Sequence, residues 1–371
     1  MTNKPVSKLL LVFISLISFV IGFIGSALAY FYINSPESDV IGQLEIHFME
    51  LGNKYAGDSI LIQVGEVDIL VDAGSKTSSY ETIKNYLDKE IQDNKIEYVI
   101  VTHAHEDHYA NFAGNGETSL LTDYEITNLI QFARTNQTTG KMYNNYLKIV
   151  DKIEEEGTNV YTALECYNNQ NGCNRKIDLG HGTEIEILYQ KFYEEDGEEN
   201  EYSVCFMINQ NGNHFLFTGD LEEEGEESLV ANNNLPKVKL FKAGHHGSSS
   251  SSHDVLLDVI EPEIVIITAV VGSFEYATNK PGNVNINGTF PTRETLERIA
   301  KHTSQVYATS KGILQEKDDG TFEDVGFESM NGDIVVISNY KGVSVTGSNN
   351  NTLLKDTAWA QTYRSGIAWA N

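Results

Sequence analysis

The stretch Tyr98-Val99-Ile100-Val101-Thr102-His103-Ala104-His105-Glu106-Asp107-His108 decides how this chain is read. Its apolar opening predicts a short buried strand, and its polar end a loop that leaves the strand and enters a helix. Imidazole nitrogens and a carboxylate oxygen suit Zn²⁺, Mn²⁺ or Fe²⁺. Histidines at i and i+2, followed by Asp at i+4 and His at i+5, turn toward two adjacent points when a strand end runs into a helix. The spacing therefore suits two cations side by side better than one. The plain alternative is a polar loop with surplus histidines. Five of the ten histidines fall in two short strings, which weighs against it.

The second such string is Gly244-His245-His246-Gly247-Ser248, after a predicted strand at Lys239 to Phe241. A third candidate is Phe217-Thr218-Gly219-Asp220, again where a strand runs out. Sites in open α/β architectures gather at strand ends, where loops meet. Alone, Thr-Gly-Asp would be a turn. Beside the two histidine strings, Asp220 becomes a candidate carboxylate shared by two cations.

Outward from these strings, Leu44 to Leu51 and Ser59 to Val71 are dense in Ile, Leu and Val, and Gly65-Glu66 marks a hairpin within the latter. Helical spacing covers Tyr80 to Ile91 and Thr292 to Lys301. Ser119 to Glu156 reads as a polar, helix-prone insert. Further strands are expected at Glu184 to Tyr189, Ser203 to Ile208, His214 to Thr218, Ile264 to Thr268, Ile334 to Ile337 and Val343 to Thr346. That mixture predicts an α/β protein with helices on the outer faces of two sheets. The tail, residues 347–371, has no clear period, but Trp359 and Trp369 suggest that it packs on something.

Ahead of this domain, an uncharged apolar run from Leu9 to Ile33 follows Lys4 and Lys8. Spanning a bilayer core takes about 20 apolar residues, so the run is long enough for a membrane anchor. Ala27-Leu28-Ala29 also fits a signal-peptidase site, but the apolar run is long for a signal peptide. The expectation is a single-pass anchor over residues 1–33 with the domain outside the cell; secretion after cleavage is the alternative. Residues 34–41 form a linker, and residues 42–346 the main domain. With 53 acidic against 26 basic residues, the net charge of -27 opposes broad attraction to nucleic acid or an anionic membrane surface. Lys242, Lys280 and Arg293 lie in segments expected near the mouth of the site, too few for a basic groove. Cys166 and Cys173 flank an Asn/Gly-rich stretch that a disulfide would close in an exported protein, and Cys205 reads as a buried thiol.

The histidine strings resemble the metallo-β-lactamase superfamily. His103, His105, Asp107 and His108 match its H-x-H-x-D-H signature, and Val71-Asp72-Ala73-Gly74 matches its preceding strand-end motif. Nearer resemblance is to the metallo-β-lactamase-like domain of ComEC competence proteins and to secreted phosphorylcholine esterases. It rests on Gly57-Asp58-Ser59-Ile60-Leu61-Ile62, on Asn200 and Ser203 as an N-x-x-S element, and on His245-His246-Gly247-Ser248. The similarity runs from about Leu44 to Leu314.

The resemblance implies an αββα sandwich holding one or two divalent ions, Zn first, Mn or Fe as alternatives. One ion would take His103 and His105, the other Asp107, His108 and His245, with Asp220 between them. Asp72 would orient the histidine loop. Asp107 and His246 are the candidate catalytic groups, and Ser248 and His253 the candidate substrate contacts. Many members give the first ion a third histidine; here the candidates His181 and His214 read as turn and hairpin residues. Thr289-Phe290-Pro291 stands where related proteins often have His before Pro. The expected activity is hydrolysis by hydroxide formed at the cation. A phosphodiester is the leading substrate: a surface polymer, a phosphocholine-type ester or, against the net charge, a nucleic acid. The alternatives are a metal-stabilised binding protein without turnover, and hydrolysis of a carboxylic ester, lactone or β-lactam.

Overall fold

The computed structural model describes residues 42–370. The first half supplies β1 (Leu44–Phe48), β2 (Ile60–Val64), β3 (Val67–Val71), β4 (Lys95–Val101), β5 (Glu125–Gln131) and β6 (Asn159–Thr162). The second supplies β7 (Lys176–Gly180), β8 (Thr183–Leu188), β9 (Cys205–Gln210), β10 (Asn213–Phe217), β11 (Leu240–Lys242) and β12 (Ile264–Val271). A small hairpin of β13 (Asn279–Lys280) and β14 (Asn283–Val284) precedes β15 (Val306–Glu316), β16 (Phe322–Ser329), β17 (Ile334–Asn339) and β18 (Gly342–Gly347). One eight-stranded sheet runs β18-β17-β1-β2-β3-β4-β5-β6, the other β16-β15-β12-β11-β10-β9-β8-β7.

Alternation along the strands makes the layers. Phe206 and Ile208 of β9, with Phe215 and Phe217 of β10, join the core between the sheets, while Cys205, Met207 and Leu216 face the other way. Phe48 of β1 stacks on Phe217 at 6.3 Å, sheet on sheet. Helices α1 (Tyr80–Glu90), α2 (Glu106–Ala113), α3 (Leu120–Asp123), α4 (Lys141–Glu155) and α5 (Ala163–Tyr167) accompany the first sheet. Ile83, Leu87, Phe112, Tyr146 and Ile149 are their buried contribution. Helices α6 (Glu223–Asn232), α7 (Asp254–Ile260), α8 (Arg293–Ile299) and α9 (Ala358–Tyr363) cover the second through Leu229, Leu256, Leu257, Leu296, Ile299 and Trp359. The expected αββα sandwich is what forms.

Two departures have a physical cause. The insert read as helical contains β5, a parallel strand between β4 and β6 with Ile126, Leu129 and Ile130 buried. Such strands lose the clean two-residue alternation that exposes a strand in sequence. The long hairpin of β15 and β16 also carries no pattern, because only Val306 to Ser310 of β15 is buried throughout. Within the tail, Leu354, Trp359 and Ala360 enter the second core. Cys166 and Cys173 are bonded, and Cys205 is buried and free. The expected anchor over residues 1–33 and the linker over residues 34–41 both lie outside the described residues. No helix among the described residues is long and apolar enough to cross a membrane.

Candidate metal centre

Four strand ends build the site. Asp72 follows β3 at φ 56°, and its carboxylate accepts hydrogen bonds from Thr102 N (2.8 Å) and Thr102 Oγ1 (2.7 Å). The loop after β4 carries His103 and His105, and α2 begins at Glu106, so Asp107 and His108 sit in its first turn. Gly74 lets the two loops touch: a Cβ there would stand 1.6 Å from Asp107 O. Asp220 follows β10. Beyond β11, His245 and His246 both take left-handed backbone, φ 47° and 51°. For non-glycine residues such backbone costs on the order of 1–3 kcal/mol each, and it collects at functional sites.

The donor atoms of Asp107, His108, Asp220 and His246 all lie within 4.8 Å of one another. His108 Nε2 is 3.1 Å from Asp220 Oδ2 and 3.2 Å from His246 Nε2. His246 Nε2 is 3.4 Å from Asp220 Oδ2 and 3.6 Å from Asp107 Oδ2. Outward hydrogen bonds fix both rings: His108 Nδ1 lies 2.8 Å from Asp72 Oδ2, and His246 Nδ1 2.9 Å from Thr268 O. With Nδ1–H donated outward, both Nε2 lone pairs aim at the same point. Asp220 Oδ1 is buried without a hydrogen-bond partner. Converging lone pairs beside an orphaned carboxylate oxygen fit a divalent cation.

Charge tells the same story. Burial opposes ionisation of Asp220, but the imidazoles of His108, His246 and His245 overcome it and hold the carboxyl well below the usual range. Burial would also depress His246, yet the Asp220 and Asp58 carboxylates and a hydrogen bond to Asp107 raise it to about 10. Without a cation, protons on the imidazoles balance the buried carboxylates. His103 differs: burial and the neighbouring His108 push it well below its usual range, leaving a neutral ring.

Several sequence expectations need correcting here. His246, not His245, completes the compact group. His245 is turned by its left-handed backbone so that Nδ1 meets Ser250 Oγ at 2.9 Å and Glu222 Oε1 at 3.5 Å, with Nε2 3.8 Å from Asp220. His103 Nε2 and His105 Nδ1 face each other at 3.1 Å, but among the described residues no third His, Cys, Asp or Glu joins them as tightly. Ser203 braces this side, with Oγ 3.5 Å from His103 Nδ1 and accepting from Asp220 N at 3.0 Å. Asn200 Oδ1 is buried without a partner, and its Nδ2 is 3.4 Å from His245. Ser248 is buried, and its Oγ contacts Ser250 Oγ at 3.1 Å, so it buttresses His245 instead of facing the centre. His253 precedes α7 with Nδ1 3.0 Å from Glu226 Oε2, outside the compact group but on the wall of the acidic cleft beside it. His181 is exposed in the β7–β8 turn, and His214 lies at the start of β10, the end remote from Asp220.

The roles of three further residues were not expected from the sequence. Asp58 is buried, with its backbone N–H on Asp107 O at 3.0 Å and its Oδ1 3.4 Å from His246 Nδ1. Lys242, expected near the mouth, is fully buried: Nζ pairs with Asp58 Oδ2 at 2.5 Å as a charge contact, not an aligned hydrogen bond, 3.7 Å from Asp220 Oδ1. A lysine ending a buried strand was the available signal. Tyr276, whose hydroxyl donates to Asp107 Oδ2 at 3.0 Å, sits in a loop without a motif.

Comparison with known proteins bears on the loops that carry Asp72 and His103 to His108. Residues 52–114 match the metallo-beta-lactamase superfamily model. The chain is 23% identical to ComE operon protein 3 of Bacillus subtilis over 230 residues, covering 60% of this chain and 24% of that protein. It is 30% identical to competence protein ComA of Neisseria gonorrhoeae over 170 residues, 45% of this chain and 22% of that one. The chain thus spans less than a quarter of the length of these curated relatives. Among solved structures, the metallo-beta-lactamase fold protein YhfI from Bacillus subtilis aligns over 72% of this chain and 95% of its own, at 12% identity and a TM-score of 0.41. The segment that carries Asp72 and the His103–His108 loop thus matches the metallo-beta-lactamase superfamily model, and the chain around it is similar to the competence proteins.

Proposed function

We propose that this chain is a divalent-metal-dependent hydrolase whose substrate is a phosphodiester. The observation that carries it is the convergence of Asp107, His108, Asp220 and His246, with Asp220 Oδ1 left without a donor. Zinc suits this nitrogen and oxygen set, with manganese and iron as alternatives. A bound cation supplies Lewis acidity and brings the pKa of its water to near neutrality. The chain does the rest. Asp72 and Thr268 hold His108 and His246 in one tautomer, and Ser203 fixes the backbone of Asp220. Lys242 offsets part of the buried negative charge. His103 and His105, kept close and one of them neutral, offer a second, less complete position.

The surroundings favour an ester of low net negative charge. A cleft beside His245 is lined by Glu198, Glu201, Glu222, Glu223 and Glu224. Arg293 is engaged with Glu297 and with Ser365 O, and Lys242 is buried, so neither builds a basic groove for a polyanion. An extracellular, membrane-anchored placement is supported by the Leu9–Ile33 run alone. The test is metal analysis of the full chain with hydrolysis of bis-p-nitrophenyl phosphate and a nitrocefin control. Bound metal and phosphodiester turnover lost on chelation are expected. Tight metal with no turnover on any ester would instead favour a binding protein, the reading that the loose His103–His105 pair supports.

A further inference from the structure

Tyr276 stands where the fold had no need to place it. It belongs to the loop between β12 and the β13–β14 hairpin, and its hydroxyl donates a 3.0 Å hydrogen bond to Asp107 Oδ2. That oxygen is 3.6 Å from His246 Nε2, so the phenol is one hydrogen bond away from the compact donor group. One side of the ring is covered: Phe290 stacks on it at 5.1 Å and 20°, and itself meets His245 edge-on at 5.8 Å. The rest is open, since Tyr276 is 49% exposed. Burying an aromatic side chain is worth a few kcal/mol, so packing alone does not account for this placement.

The exposure does not come from a loose loop tip. Gly272 N donates to Phe290 O at 2.7 Å, and Ala56 N to Glu275 Oε2 at 2.9 Å. Phe274 N reaches the Asp324 carboxylate at 3.1 Å, and the Phe274 ring stacks on Phe322 at 5.4 Å. The residues before Tyr276 are thus fastened to Phe290, Ala56 and β16, and Asn279 beyond it accepts from Phe322 N at 3.0 Å, so the ring is held at the mouth with its polar tip inward and a free face toward solvent. An aromatic wall with one convergent donor is how sites orient a small ligand.

We propose that Tyr276 is a substrate-contacting residue that selects esters bearing a planar or apolar group next to the scissile phosphorus. Its hydroxyl swings from Asp107 Oδ2 to a non-bridging phosphate oxygen, and its open ring face packs on the attached group. This rests on the phosphodiester reading above. The rival role is purely structural, a hydroxyl that only holds Asp107.

The experiment measures binding of p-nitrophenyl phosphate and of inorganic phosphate by calorimetry, on the full zinc-loaded chain and on Tyr276→Phe and Tyr276→Leu. Both variants should keep wild-type zinc content and melting temperature. Tyr276→Phe should bind both ligands roughly tenfold more weakly, the size of one hydrogen bond to a charged group. Tyr276→Leu should lose several-fold more for p-nitrophenyl phosphate and nothing more for inorganic phosphate. Loss of zinc in Tyr276→Phe, unchanged binding in both variants, or a wild type that binds neither ligand would overturn the assignment. Binding with this pattern but no turnover of bis-p-nitrophenyl phosphate would sink the hydrolase reading and leave Tyr276 in place. Turnover that both variants retain in full would do the reverse.

Discussion

At the level of single residues, the two adjacent histidines of the Gly244–Gly247 turn have different work. His246 is buried with Nε2 in the donor group, whereas His245 is engaged with Ser250 and Glu222. His246→Ala should abolish tight binding of the ion held by Asp107, His108 and Asp220. His245→Ala should keep that ion, as metal analysis after gel filtration would show. Equal loss in both would mean that the turn is misread. Protonation gives a second expectation. A group raised on folding stabilises fully below its unfolded value, and that contribution disappears as pH climbs through its folded value. For His246 these are 6.5 and about 10. Metal-free protein should therefore lose stability between pH 6.5 and 10. A cation on Nε2 displaces the proton, and melting curves with zinc should lack that part of the slope.

At the level of elements, the site depends on how closely the turn after β3 approaches the start of α2. Ala73 N donates to His108 O at 2.6 Å, and Gly74 N to Asp58 O at 2.9 Å. Gly74→Ala would drive a methyl group into the Asp107 carbonyl. The backbone must separate, so a cost of about 3 kcal/mol or more is expected, with metal binding lost alongside. Chemical denaturation with metal analysis checks both. A variant with wild-type stability and metal content would show that the contact is softer than its geometry.

At the level of the molecule, the centre lies on the seam between the sheets. Asp107 and His108 come from the first, Asp220 and His246 from the second. The chain's last segment closes one wall. Arg364 is 2% exposed and has no carboxylate partner among the described residues; its guanidinium donates to Thr289 O at 2.8 Å and Pro291 O at 2.9 Å, and packs over Trp359. The loop it grips carries Phe290, which backs Tyr276. Arg364→Met should lower stability by about 3 kcal/mol, through carbonyls left without donors. It should raise KM more than it lowers metal content. Unchanged KM with lowered stability would confine the tail to a structural part.

Sequence alone was enough for the resemblance to the superfamily and for Asp107, His108 and Asp220 of the compact group. Strand-ending histidine strings are local, and a ligand must be a residue type that binds metal, so His103 to His108 and Asp220 stood out without a fold. The β2–β3 hairpin and helices α1 and α8 were equally legible, because their periodicity is set by neighbours in the chain. Which of His245 and His246 turns inward was not legible: the Thr268 carbonyl that holds His246, and Ser250 and Glu222 that hold His245, decide it, and they meet the turn only in the packed structure. The places of Asp58, Lys242 and Tyr276 at the centre were not legible for the same reason. Their roles come from groups 22 to 210 positions away, most of them brought within a few ångströms only when the two sheets close on each other.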